Sequence, residues 1–450
     1  MTAHVQTESL GVRTISPSSP KAELPAARGD RITGDRYYSP EFAAREWEHM
    51  WKRIWHVGGR MAQMEEAGDF IVHNFLHESV IMIRQEDGSV RAFFNVCQHR
   101  GNRLAATASG GIVGAMTCTY HGWKWGIDGL LKEAQDPNDF PQGNPCGKLR
   151  LKELPCETWG GFVWYSFDKN VVPLLEYLDP IPALLAGRQL DKWHRVIWRT
   201  LTVRTNWKFA SDNFNESYHL PTVHPQMQAI IDEDYTNTHF EMYPSGHNRM
   251  IELGQPSMRS KLPNEVEPAW ADMLRNWELD PADFAGRARD GRIALQQQMR
   301  KLGPARGYTY FDGLSDDELT DHFHHTLFPN VTVTGTSDGL HFFRTEPNID
   351  DPNWSTFDYW YMVPEIEGRS EAPTIYGMRP YAEAEHETTG FADHLAELGI
   401  GDFLSQDLSI AETQQMGLRS AGYEDAYLTG QETRVRRFHE VLNDYLEGRR

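Results

Sequence analysis

Cys97-Gln98-His99-Arg100-Gly101, with Cys118-Thr119-Tyr120-His121-Gly122-Trp123-Lys124-Trp125 a short way downstream, decides how this chain is read. Two thiols and two imidazoles fall in two mixed pairs, with eighteen residues between His99 and Cys118. The order suits a cluster in which one iron takes both cysteines and the other takes both histidines. Neutral imidazole in place of thiolate makes such a cluster less negative and raises its reduction potential. A Cys2His2 zinc site is the competing reading, but zinc sites usually group cysteines with cysteines and histidines with histidines. The flanking sequence predicts short strands over residues 70–75, 79–84 and 90–96, rich in β-branched and aromatic side chains, with Glu86-Asp87-Gly88 as a turn. A further apolar run at 160–167 closes the segment. Both pairs therefore sit on loop tips between strands of a small all-β domain.

The rest of the chain is too long to serve that domain alone. At 450 residues, two domains are the natural expectation. The 14 Trp and 21 Phe give ample material for packed cores. A formal net charge of -20 argues against non-specific nucleic-acid binding and suits a soluble, oligomeric enzyme. Four cysteines are too few for a disulfide framework at this length, and two of them lie beside histidines, which favours metal binding in a reducing compartment. Cys146 and Cys156 are expected to be buried, inert thiols. Residues 1–35 read as a mobile arm, with Ser and Pro clustered at 16–20 and no apolar signal-peptide core. No run is long enough to span a membrane, so a cytoplasmic protein without a membrane partner is expected.

Beyond the arm, Ser39-Pro40 reads as a helix cap followed by Pro in the first turn. The expected organisation is α+β: residues 36–165 form the small β domain with its leading helix, and 166–450 form a larger domain whose antiparallel sheet is flanked by helices. In the larger domain, residues 206–218 read as a helix ended by Pro221, and 264–302 as helical and charged. Strands are expected at 324–334, 340–346 and 355–364, and helices at 402–418 and 431–447. Thr429-Gly430-Gln431-Glu432 has the form of a capping box.

The residues around both ligand pairs resemble the two ligand loops of Rieske [2Fe–2S] domains. Within that group they are similar to the α subunit of Rieske non-haem iron oxygenases, the ring-hydroxylating oxygenase family. The spacing between the pairs is one or two residues longer than usual there, and Ser109-Gly110-Gly111 is expected to absorb the excess in a turn. On this resemblance Cys97, His99, Cys118 and His121 hold the Rieske cluster.

A second site follows in Asp212-Asn213-Phe214-Asn215-Glu216-Ser217-Tyr218-His219-Leu220-Pro221-Thr222-Val223-His224. Two histidines with a distant carboxylate form the facial triad of non-haem Fe(II) oxygenases, which leaves one face of the metal open. A His-x4-His alone is also the spacing of ordinary buried histidines; downstream of the cluster motif it resembles the family's iron-binding helix. The carboxylate three residues before the first histidine is usually Asp in that family and is Glu216 here, an exchange found in the branch acting on quaternary amines. Asp402, Asp407 and Glu412 are candidates for the third ligand. Asp407 shares a face with Phe403, Ile410 and Ala411, where a carboxylate is costly unless paired or metal-bound, whereas Asp402 suits a helix cap. The family's late helix carries a similar Asp followed five residues on by Glu-Thr, which selects Asp407. His322, His324 and His325 form a further cluster, with strand alternation sending His322 and His324 to one face.

The resemblance implies a mononuclear Fe(II) at His219, His224 and Asp407, O2 as co-substrate, and NAD(P)H acting indirectly through a reductase, often with a ferredoxin. It implies hydroxylation of an aromatic or related organic substrate; monohydroxylation or oxidative demethylation of a non-ring substrate such as a quaternary amine is the alternative. A homotrimer, or α3β3 with a small β subunit, is implied, with Glu216 bridging the cluster of one chain and the iron of the next. Two readings from other classes are a zinc hydrolase and a non-catalytic Rieske electron carrier.

Overall fold

The computed structural model describes residues 28–374, 377–398 and 403–450. Most of the expected N-terminal arm, and Asp402, lie outside the described residues. The chain divides into two compact units. One spans Ala44–Pro182; the other combines Ala183–Arg450 with the residues before Ala44.

The first unit is built from three small antiparallel sheets. The largest runs, in spatial order, Ser109–Gly111, Asp69–Phe75, Glu78–Arg84, Val90–Phe94 and Glu153–Leu154. A second pairs Met116–Thr117, Lys124–Trp125 and Leu131–Glu133, and a third places Phe162–Ser166 between Trp55–Arg60 and Cys156–Trp159. Trp125, Leu131, Ile81, Ile83 and Phe93 fill the core beneath the ligand loops, and Cys97 and Cys118 belong to that same cluster. Ser109-Gly110-Gly111 is not the expected turn. It is an edge strand on Asp69–Ile71, and Gly110 lies where a Cβ would come 3.0 Å from the Phe70 ring. The chain bends instead at Val113-Gly114, where the Gly114 φ of 77° suits glycine. Cys146 and Cys156 are half-buried rather than buried.

The second unit is organised on an eight-stranded sheet. In spatial order its strands are His239–Met242, Asn248–Glu252, His322–Leu327, Val331–Gly335, Leu340–Pro347, Ser355–Val363, His194–Val203 and Glu387–Gly390. All pairs are antiparallel except the last, which is parallel. The sequence reading of one strand over 324–334 is corrected to two, joined at Phe328-Pro329-Asn330, because Pro329 has no N–H to continue a ladder. The helix Phe403–Leu418 lies on the sheet through Leu404, Leu408 and Ala411, which pack among Leu201, Phe343, Phe357 and Tyr359.

The helix expected over 206–218 is also shorter. It covers Lys208–Asn213 and gives way to turns, and a second short helix, Leu220–Val223, begins beyond them. Pro221 opens that helix rather than ending the first one. Its missing N–H is one of the first-turn donors that no helical carbonyl could reach. Residues 28–35 are fixed: the Arg28 N–H donates to Glu440 (2.6 Å), its guanidinium to Asp444 (2.7 Å), and the Ile32 N–H to Asp425 (2.6 Å).

Candidate metal centres

The two cysteine loops share one backbone design. The Cys97 N–H donates to the Asn102 carbonyl (2.8 Å) and the Gly101 N–H returns to the Cys97 carbonyl (3.1 Å). At the same offsets the Cys118 N–H donates to Trp123 (2.8 Å) and the Gly122 N–H to Cys118 (3.0 Å). Each loop turns through a glycine in the left-handed region, Gly101 at φ 76° and Gly122 at φ 65°. The rings of His99 and His121 approach to 4.5 Å between centroids, and His99 stacks on Trp123 at 4.6 Å. The Asn102 amide ties the loops together, reaching Thr119 Oγ1 (3.1 Å) and Cys118 Sγ (3.7 Å). His99 Nδ1 is buried and has no hydrogen-bond partner among the described residues. A buried imidazole nitrogen left unpaired is costly in a metal-free protein and is what a metal-ligating nitrogen requires. Two buried thiols and two imidazoles thus suit a mixed Cys/His iron–sulfur cluster.

In the second unit His219, His224 and Asp407 present ligand atoms all within 4.8 Å of one another. Two helices bring them together. His219 stands at the mouth of Leu220–Val223 and His224 just past its end, while Asp407 is carried by the late helix. Ile410 does not share the buried face with Asp407, as it is 37% exposed. The seating residues are Leu404, Leu408 and Ala411. Glu412 points outward to Arg204 (2.7 Å).

Both imidazoles are oriented from behind. His219 Nδ1 lies 2.7 Å from Glu216 Oε1, and His224 Nδ1 lies 2.6 Å from Gln406 Oε1. Carboxylate and amide oxygens only accept, so each Nδ1 carries its proton and each Nε2 faces Asp407 Oδ1, at 3.5 Å and 2.8 Å. In a neutral imidazole that Nε2 has a lone pair, and lone pairs of two acceptors repel unless a proton or cation lies between them. Burial opposes charging His219, but the hydrogen bond from Glu216 and the charges of Glu216, Asp407 and Glu252 outweigh it and raise its pKa to about 9. A divalent cation fits the same place. Gln406 and Asn213, which donates to Asp407 (3.4 Å), escaped the sequence reading. Gln406 adjoins Asp407 in sequence, but nothing in the pattern ties it to His224.

These residues form one wall of a cavity of about 140 Å³. The opposite wall is one face of the sheet. Register pairs Met250 with His324 and Glu252 with His322, and then His324 with Thr334 and Thr334 with His341, so all of these line the same face. His325 lies on the other face and is buried. Phe214, Phe343 and Phe403 complete an apolar surround. A larger depression of about 620 Å³, lined in part by Trp198, Glu383 and His394, holds none of the candidate ligands.

Residues 190–448 match the ring-hydroxylating α subunit catalytic domain, and residues 54–149 match the Rieske [2Fe-2S] domain. The chain belongs to the ring-hydroxylating α-subunit family. Its two domains together imply a Rieske cluster and a mononuclear iron. The chain is 28% identical over 202 residues to the carnitine monooxygenase oxygenase subunit of Escherichia coli (strain K12), covering 44% of this chain and 54% of that protein. It thus spans about half the length of that relative. It is 27% identical over 345 residues to the large oxygenase component of the Ralstonia sp naphthalene 1,2-dioxygenase system, covering 73% and 69%. A solved quaternary ammonium Rieske monooxygenase superposes with a TM-score of 0.64 at 18% identity over 92% of this chain and 95% of the other. At that identity the likeness establishes the fold of a ring-hydroxylating α subunit. Among the described residues no helix is long and apolar enough to cross a membrane.

Proposed function

We propose that this α subunit is the catalytic component of a Rieske oxygenase, hydroxylating a small organic substrate with O2 and electrons from NAD(P)H. The observation that carries the reading is the convergence of His219, His224 and Asp407 on one point at the edge of a largely apolar cavity. His219, His224 and Asp407 would hold the iron, and Cys97, His99, Cys118 and His121 the cluster. Bound there, these metals would supply O2 activation and one-electron transfer. Glu216 and Gln406 fix the tautomer and tilt of the two imidazoles, as carboxylate and amide partners of ligating histidines do. Phe214, Phe343 and Phe403 keep water from the reacting space, and the sheet face opposite positions the substrate.

The electrons come from a separate reductase, with or without a ferredoxin, in the cytoplasm. The active assembly is a trimer of α subunits, alone or with a small β subunit, in which Glu216 joins the iron site of one chain to the cluster of its neighbour. A second reading, monohydroxylation or oxidative demethylation of a quaternary amine, is favoured by Glu216 standing where Asp is usual and by the relative named for carnitine.

The test is reconstitution with iron and sulfide, followed by substrate screening with a surrogate reductase. The expected result is about three irons and two acid-labile sulfides per chain, with NADH-dependent O2 uptake coupled to a hydroxylated or demethylated product. Zinc without sulfide would establish the hydrolase reading. A cluster without the additional iron would establish the electron carrier.

A further inference from the structure

The sheet wall of the cavity is more polar than a hydrocarbon substrate needs. Three imidazoles, His322, His324 and His341, face the triad across it. His324 is spoken for at both ring nitrogens, with Nε2 3.2 Å from Glu252 and Nδ1 2.9 Å from Thr334. His341 Nδ1 lies 3.0 Å from the Tyr359 hydroxyl. His322 is different: neither of its ring nitrogens has a hydrogen-bond partner among the described residues, and it stacks beside His324 at 6.4 Å. Its cross-strand partner is Glu252, 1% exposed, whose Oε1 also has no hydrogen-bond partner among the described residues. Burial holds both His322, at about 4, and His341, at about 3, in their neutral forms at physiological pH. A neutral imidazole carries one donor and one acceptor.

We infer that His322 is a specificity-determining residue that hydrogen-bonds the substrate, and that the substrate therefore carries a hydroxyl or amine group. Such a group can both donate and accept, so it satisfies either ring nitrogen of His322. A carboxylate is a poor alternative, since Glu252, Glu216 and Asp407 already line the same cavity. The volume of about 140 Å³ sets the scale. A dry cavity of about 150 Å³ accepts benzene, so a single ring or a branched chain of similar size fits. This inference rests on the cavity being the substrate site proposed above.

The test measures binding, in the absence of reductant and O2, to the iron-loaded protein. Toluene, phenol and aniline have nearly the same shape and differ in one group. Calorimetric affinities for the three are compared between wild type and the variants His322→Phe and His322→Gln. Relative to toluene, phenol and aniline are expected to lose roughly 3- to 10-fold in H322F, the effect of one neutral hydrogen bond, and to lose little in H322Q, which keeps a donor and an acceptor. An unchanged ratio in H322F overturns the inference, as does failure of all three to bind wild type. If H322F does not fold, a crystal structure of wild type with phenol decides. The oxygen is expected within hydrogen-bond distance of the His322 ring, and an oxygen placed on the metal or elsewhere overturns the role. Because this test reads no turnover, an unchanged ratio in H322F alongside coupled turnover in the reconstituted enzyme removes only this inference. Discrimination without turnover on any substrate removes the proposed function.

Discussion

Glu216 shows how much a single side chain decides here. Its carboxylate accepts from both the ring and the backbone N–H of His219, at 2.7 Å and 3.1 Å, so it orients the imidazole and biases its charge. Glu216→Gln keeps an acceptor in the same place and removes the charge. Metal content by elemental analysis should be unchanged, while NADH-coupled product formation falls by roughly 10- to 100-fold, the usual effect of removing a metal ligand's partner. Normal turnover in that variant would remove the bridging role. Glu241 gives the pH prediction. Burial opposes its charge, but hydrogen bonds from His239, Arg249 and Tyr243 and the Arg249 charge hold its carboxyl down at about 2. A carboxyl depressed below its ordinary value stabilises the fold above about pH 4.5 and loses that contribution as pH falls toward 2. Thermal unfolding followed between pH 5 and 3 should show a steeper fall for wild type than for Glu241→Gln, whose slope is flatter because nothing titrates at that position.

Elements set what the residues can reach. The catalytic sheet face exists because Asn248–Glu252 and His322–Leu327 run in register, which places Glu252 opposite His322. That register is locked just beyond the strand by Gly254. Its N–H donates to Asp321 (3.0 Å), and a Cβ on it would stand 1.8 Å from the Thr320 carbonyl oxygen. Gly254→Ala must push the two strand ends apart, since backbone cannot rotate away as a side chain can. A loss of roughly 2–4 kcal/mol in denaturant unfolding is expected. At this scale the sequence was a partial guide. Alternating apolar and aromatic residues made the strands at 70–94 and 340–364 legible. The strand His194–Val203, which alternates weakly and carries His194, Arg195 and Arg199, takes its place only through pairing with Ser355–Val363 and Glu387–Gly390. The turns at 214–219 were equally hidden, because their helical propensity is overridden by the need to aim Glu216 and His219 together.

At the scale of the molecule, the unit that holds the triad is closed by segments from both ends of the described chain. Tyr37 donates to Asp212 (2.6 Å), which also lies 3.0 Å from His439 Nε2, so both partners anchor the helix Lys208–Asn213 that precedes Glu216. Tyr37→Phe removes the donor and leaves a carboxylate oxygen unmatched next to a buried histidine. A loss of about 1–2 kcal/mol is expected from thermal or urea unfolding of the catalytic unit, while the visible absorption of the reconstituted cluster, held in the other unit, stays unchanged.

The candidate cluster ligands were legible in the sequence, because Cys97, His99, Cys118 and His121 fall within short loops whose geometry is local. Two glycines and a few backbone hydrogen bonds suffice to shape them. His219 and His224 were legible for the same reason. Asp407 was singled out by its apolar helix face and by the family resemblance, but only the tertiary structure brings its carboxylate to their nitrogens, through the packing of Leu404, Leu408 and Ala411 on a sheet assembled from distant strands. It alone decided that Gln406 holds His224 and that His322, His324 and His341 face the same space. Contacts across nearly two hundred residues depend on how elements pack, and packing is a property of the whole core that no local pattern records.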